Sequence, residues 1–209
     1  NEMMRHGANP GLKDKSGRCA ADYVDLDNLQ LVRAVEAGES ASALAAIAQG
    51  ADVNISYYFA REGGQSAPMT LLQAAAAFGC DPAVVQALIE AGADVKAKDA
   101  DGATALHFAK NQETARLLLQ GGANVNARDK DRETPLFAAL RLTNSEDGRE
   151  RHARVCILLI DEGADLHVKN REGRRPLDMV APDKFPALPP SLAARLLFPK
   201  KEAKQEPQK

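Results

Sequence analysis

The stretch that decides the fold reads Gly122-Ala123-Asn124-Val125-Asn126, followed by Asp131-Arg132-Glu133-Thr134-Pro135-Leu136-Phe137. The first part recurs as Gly7-Ala8-Asn9, Gly50-Ala51-Asp52-Val53-Asn54, Gly92-Ala93-Asp94-Val95 and Gly163-Ala164-Asp165-Leu166. The second recurs as Asp14-Lys15-Ser16-Gly17, Asp101-Gly102-Ala103-Thr104-Ala105-Leu106-His107 and Asn170-Arg171-Glu172-Gly173-Arg174-Arg175-Pro176-Leu177. The motif glycines lie 43, 42, 30 and 41 residues apart. Recurrence at such a period marks a repeat array, in which each unit is too small to bury its own apolar face and is stabilised by its neighbours. Glycine at each motif start suits a helix end, where left-handed backbone costs a residue with a side chain more.

The paired signatures resemble the ankyrin repeat, which carries T-P-L-H-x-A near the start of a unit of about 33 residues. That resemblance implies an all-α fold, an ankyrin-repeat solenoid of stacked helix pairs with hairpin-like fingers. The uneven spacing implies insertions and deletions. Residues 1–28 read as a partial or degenerate N-terminal repeat. Residues 29–181 form the array, with insertions at 55–68 and 143–152. The prolines at 182, 186, 189 and 190 end the repeat pattern. Residues 182–199 are expected to be a C-terminal capping segment, with Ser191 capping a helix over 192–198. The polar tail 200–209 is expected to be disordered.

Alignment within units predicts the helices. The first pair runs over 29–37 and 40–49, with Leu44 and Ile47 facing in. Thr70-Leu71-Leu72-Gln73 opens the next unit, Gly79 turns the chain, and Asp81-Pro82 starts the second helix as N-cap and first helical residue. Val84, Val85, Leu88 and Ile89 form its apolar face. Residues 105–110 and 113–120 are predicted as the short third pair. Val155, Ile157, Leu158 and Leu159 pack the last second helix.

Composition bounds the function. The chain has 27 basic and 29 acidic residues, a formal net charge of −2, too even for a general binder of nucleic acid or membrane surface. No apolar run approaches the roughly 20 residues that cross a bilayer. Cys19, Cys80 and Cys156 have no paired spacing and read as small apolar side chains. His107, in the T-x-L-H position, is structural by resemblance, hydrogen-bonded with Thr104 and the backbone of the adjoining turn. His152 and Cys156 stand four apart, but a zinc site needs three or four ligands, so they read as a surface His and a core Cys. Asp99/Asp101 and Asp129/Asp131 read as turn formers rather than an acid–base pair. No catalytic, metal or cofactor site is expected, and the chain reads as a non-enzyme.

The resemblance places recognition on a concave surface of finger tips and exposed helix-one positions. The finger candidates are Lys98, Ala100, Asp101 and Ala103, then Arg128, Lys130, Asp131, Arg132 and Glu133, then Lys169, Arg171 and Arg174. The helix-one candidates are Glu36, Ala77, Phe78, Lys110, Arg141 and Leu142. The 55–68 insertion adds Tyr57, Tyr58, Phe59 and Arg61, of the residue types that dominate protein interfaces. These rings serve either a partner or a local cluster against the neighbouring repeat. The expected function is a protein-binding module, acting as inhibitor or adaptor on a protein partner and monomeric outside its complex. Alternatives are a bacterial immunity-type inhibitor of a co-encoded toxin, or the targeting segment of a larger enzyme. Unpaired cysteines lean towards the cytoplasm, and a periplasmic site stands if a leader precedes residue 1.

Overall fold

A computed structural model describes residues 26–60, 66–143, 149–179 and 189–197. The chain divides into two compact units, Asn1–Ala105 and Leu106–Lys209. Expectations for residues 1–25, 61–65, 144–148, 180–188 and 198–209 fall outside the described residues, the disordered tail among them.

In the first unit, α1 (Leu26–Ala37) and α2 (Ser40–Ala48) form a helix pair turned by Gly38 at φ 70°. α1 buries Leu31, Val32, Ala34 and Val35. α2 buries only Ala43 and Ala46. Leu44 was expected to face in, but it is 36% exposed. One step along an α-helix turns the side chain by about 100°, so a face centred on Ala43 and Ala46 puts Leu44 outside.

β1 (Ser56–Ala60) pairs antiparallel with β2 (Ser66–Thr70), with Ser56 opposite Thr70 and Ala60 opposite Ser66. The described parts of the 55–68 segment are therefore paired strands, the second of which runs straight into the next helix. A lone strand pair is marginal in water. This one contacts α3 (Leu71–Phe78) and buries Met69.

α3 starts with a capping box. Thr70 Oγ1 accepts from Gln73 N at 3.2 Å, and Gln73 Oε1 accepts from Thr70 N at 2.8 Å. It ends at Gly79, φ 71°. α4 (Pro82–Glu90) begins as the sequence predicts, with Asp81 Oδ1 accepting from Ala83 N at 2.8 Å and Pro82 at the first turn. Val84, Val85 and Leu88 are buried, each such side chain contributing roughly 1.5–3 kcal/mol.

The third pair opens with a single 3₁₀ turn, Ala105–Phe108, instead of the α-helix expected over 105–110. Asn111 causes the difference. Its extended backbone and side chain, accepting from Thr114 N at 2.7 Å, start α5 (Gln112–Gln120) before the first turn can propagate.

In the second unit, α6 (Pro135–Leu142) is followed by α7 (Arg149–Asp161). The 143–152 insertion is therefore in part an extension of the second helix. Val155, Leu158 and Leu159 are buried as predicted. His152 was expected on the surface and is instead 8% exposed, on the buried face of α7 with Cys156. A second 3₁₀ turn, Pro176–Met179, contacts α6. α8 (Pro190–Leu197) covers α7 with Leu192 and Leu196. Its start is Pro189-Pro190 rather than Ser191, because Pro at the first helical position has no N–H to satisfy and the Pro189 carbonyl accepts from Leu192 N and Ala193 N.

Candidate functional site

Each second helix ends on a motif glycine with left-handed backbone: Gly50, Gly92, Gly122 and Gly163 have φ of 91°, 89°, 90° and 88°. Beyond two of them an asparagine clamps the next repeat. Asn54 donates from Nδ2 to the Gly92 carbonyl at 3.0 Å and accepts from Asp94 N at 2.9 Å. Asn126 does the same to Gly163 O and Asp165 N, at 3.0 and 2.8 Å.

The fingers share one hydrogen-bond frame. In the first unit Asp99 Oδ1 accepts from Asp101 N and Ala103 N, both at 2.9 Å, while Asp99 N donates to Ala103 O. In the second unit Asp129 Oδ1 accepts from Asp131 N at 2.9 Å and Glu133 N at 2.8 Å. Asn170 repeats the pattern with Glu172 N and Arg174 N, both at 3.0 Å. The fourth finger residue is left-handed each time: Gly102 at φ 77°, Arg132 at φ 62° and Gly173 at φ 77°. Arg132 alone carries a side chain there, at a cost of roughly 1–2 kcal/mol.

The last residue of the T-x-L-H motif holds the following finger. Gln73, 1% exposed, stands in the His position and donates from Nε2 to Ala97 O and Ala103 O, both at 3.1 Å. His107 Nε2 lies 3.2 Å from Glu133 O, consistent with its structural reading. Phe137 takes that position in the next repeat and has nothing to donate. There the fingers bind each other instead: Arg171 N donates to Asp131 O at 2.9 Å, and Asn170 Nδ2 to Glu133 Oε1 at 3.0 Å. Glu133 Oε1 also accepts from Arg141 Nη2 at 2.6 Å.

Several expected contact positions are corrected by these bonds. Glu133, 5% exposed, and Ala103, 7% exposed, are buried parts of the frame, because the fifth finger residue turns back under the tip. Lys98, Arg128, Lys130, Arg132, Phe78, Leu142 and Arg171 are exposed. Asp101 and Lys110 are half-buried. Arg141 is exposed but paired with Glu133. Tyr57 is half-buried on β1. The side chains of Tyr58 and Phe59, and all of Arg61, lie outside the described residues. Arg128, Lys130, Arg132 and Arg171 come together on two adjoining fingers. Sequence reasoning missed the structural role of Gln73. Its alignment with His107 in Thr70-Leu71-Leu72-Gln73 was the available signal.

Burial pushes the Cys156 thiol far above its ordinary range and raises that of Cys80. Arg175 donates two side-chain bonds and one backbone bond to the Asp178 carboxylate, which holds its pKa down to about 2. Among the described residues, no group of three or more His, Cys, Asp and Glu could hold a metal ion. No helix among them is long and apolar enough to cross a membrane.

The family model for ankyrin repeats (3 copies) matches residues 71–170, the span that contains the finger frames and the motif bonds. Residues 71–170 are ankyrin repeats, and the described helices form the all-α repeat fold of that family. Ankyrin repeats generally mediate protein–protein interaction and are typically non-catalytic. No curated protein matches the chain.

Proposed function

We propose that this chain is a non-enzymatic protein-binding module, an adaptor or inhibitor, that holds a protein partner on its finger tips and exposed helix-one positions. One observation carries the reading: the three fingers keep the same backbone bonds while their tips differ. The tips are Ala100-Asp101-Gly102, Lys130-Asp131-Arg132 and Arg171-Glu172-Gly173. A frame fixed by its own hydrogen bonds leaves the outward side chains free to vary. It also loses little conformational freedom on binding. Phe78 and Leu142, 38% and 36% exposed at the ends of α3 and α6, supply apolar anchors on helix one. The paired strands β1 and β2 carry the second contact region of the proposal, with Tyr57 on β1.

Affinity capture with the full chain, followed by mass spectrometry, tests this. A retained protein is expected, with capture weakened about thirtyfold or more by Phe78→Ser with Leu142→Ser, the loss of at least ~2 kcal/mol expected for interface anchors. Helical circular dichroism should be unchanged. Capture no better than by the heat-unfolded chain would overturn the reading.

A further inference from the structure

We infer that the Leu106–Lys209 unit grips an acidic, extended segment of its protein partner along the two adjoining fingers. This rests on the protein-binding reading above. The bond from Arg171 N to Asp131 O sets the tips 130–132 and 171–173 side by side. Arg128, Lys130, Arg132, Lys169 and Arg171 are all exposed there.

Four nearby carboxylates already have partners. Asp129 accepts two finger amides. Glu133 is buried against Arg141 and Asn170. Glu172 is paired with Arg174, and Asp178 with Arg175. Asp131 is the exposed acid that remains on the tips. Arg132 and Arg171 therefore stand exposed at the two adjoining tips, with Lys169 beside them. The whole chain has a net charge of −2, so this basic cluster is local. In the other unit the finger tip Ala100-Asp101-Gly102 has no basic side chain.

Arg132 adds an independent observation. At φ 62° it sits where Gly102 and Gly173 stand in the sister fingers. The strained backbone is kept along with a guanidinium aimed outward, and such outliers point to function. Guanidinium groups bind carboxylates through two parallel bonds. A polypeptide fits better than a nucleic acid. Asp131, in the middle of the stripe, repels a continuous phosphate backbone, whereas a peptide spaces its carboxylates around it. Leu142, exposed at the end of α6, offers an apolar contact that phosphates would not use.

The test is fluorescence anisotropy on the full chain with a fluorescein-labelled 12-residue peptide of alternating Glu and Gly, beside a 12-nucleotide oligothymidylate. Binding of the peptide is expected, weakening about tenfold as salt rises from ~50 to ~300 mM and the charges are screened. Arg132→Glu with Arg171→Glu should weaken it at least tenfold more. Arg132→Lys with Arg171→Lys should retain most of it. If the Glu pair disturbs folding by circular dichroism, Lys130→Ala with Arg171→Ala reads the same loss. No peptide binding at low salt, binding indifferent to charge reversal, or tighter binding of the oligothymidylate overturns the inference. The lysate capture separates its failure from that of the broader reading. Capture that survives charge reversal but is lost on Phe78→Ser with Leu142→Ser leaves the protein-binding module standing without an acidic grip. Capture indifferent to both sets removes both.

Discussion

The fingers Asp99–Ala103 and Asp129–Glu133 make the same backbone bonds and carry different tips. The first turns on Gly102, follows an exposed Lys98, carries Ala100 at its tip and is held from behind by the Gln73 amide. The second turns on Arg132, ends in a buried Glu133 that pairs Arg141, and is met from behind by His107. The shared part is what folding needs, since an Asp side chain satisfies two amides that would otherwise point at nothing. The differing part lies outward, where substitutions away from special features usually change stability by within ~0.5 kcal/mol. Frame and tip are therefore separable, and each half of the comparison can be broken on its own.

The largest effect should come from removing what holds a finger from behind. Gln73→Ala leaves the Ala97 and Ala103 carbonyls without that donor and deletes half of the capping box. A loss of about 3 kcal/mol in urea unfolding is expected. A loss below ~1 kcal/mol would mean that the first finger stands without this strut.

Removing the frame acid should cost less and should cost the same in both fingers. Asp99→Ala and Asp129→Ala each delete an oxygen that accepts two amides, for about 2 kcal/mol apiece by thermal or chemical unfolding. Unequal losses would break the equivalence of the two frames. Gly102→Arg then writes the second finger's turn into the first. It should cost roughly 1 kcal/mol from left-handed strain, and an unchanged unfolding midpoint would show that Arg tolerates this turn without cost.

The smallest effect concerns the exposed pair beside the last finger. The Asp178 carboxyl should titrate by NMR near pH 2, below its ordinary value, because Arg175 binds its charged form. A depressed carboxylate contributes stability that is present above its unfolded pKa and lost as pH falls towards 2. Its solvent exposure keeps that contribution small. An ordinary midpoint near 4 would show the pair to be loose in solution.

Much of this was legible in the residues. The motif glycines, the Asp81-Pro82 helix start and the finger aspartates announced their geometry, because left-handed backbone and orphan amides each favour few residue types. The buried side of α2 was not legible. In Ser40–Ala48 the small alanines, not Leu44, meet the neighbours, and an alanine-rich helix carries little amphipathic contrast. The 3₁₀ turn at Ala105–Phe108 was hidden because Asn111 reads equally as a loop residue or a cap. Burial of Glu133 contradicts its charge and becomes intelligible only with Arg141 and Asn170 beside it. Of the expected contact surface, the exposure of the cations Lys98, Arg128, Lys130, Arg132 and Arg171 was legible. The left-handed Arg132 was written in the alignment of Asp129-x-x-Arg132 with Asp99-x-x-Gly102 and Asn170-x-x-Gly173.

The separation of frame from tip is tested most directly by Arg132→Gly in the full chain, with melting temperature and affinity for the captured protein partner measured on the same sample. Relief of the strained turn should stabilise by about 1 kcal/mol, raising the melting temperature by a few degrees. Loss of the guanidinium should weaken partner binding at least fivefold. A lower melting temperature, or an affinity left unchanged, would contradict the account.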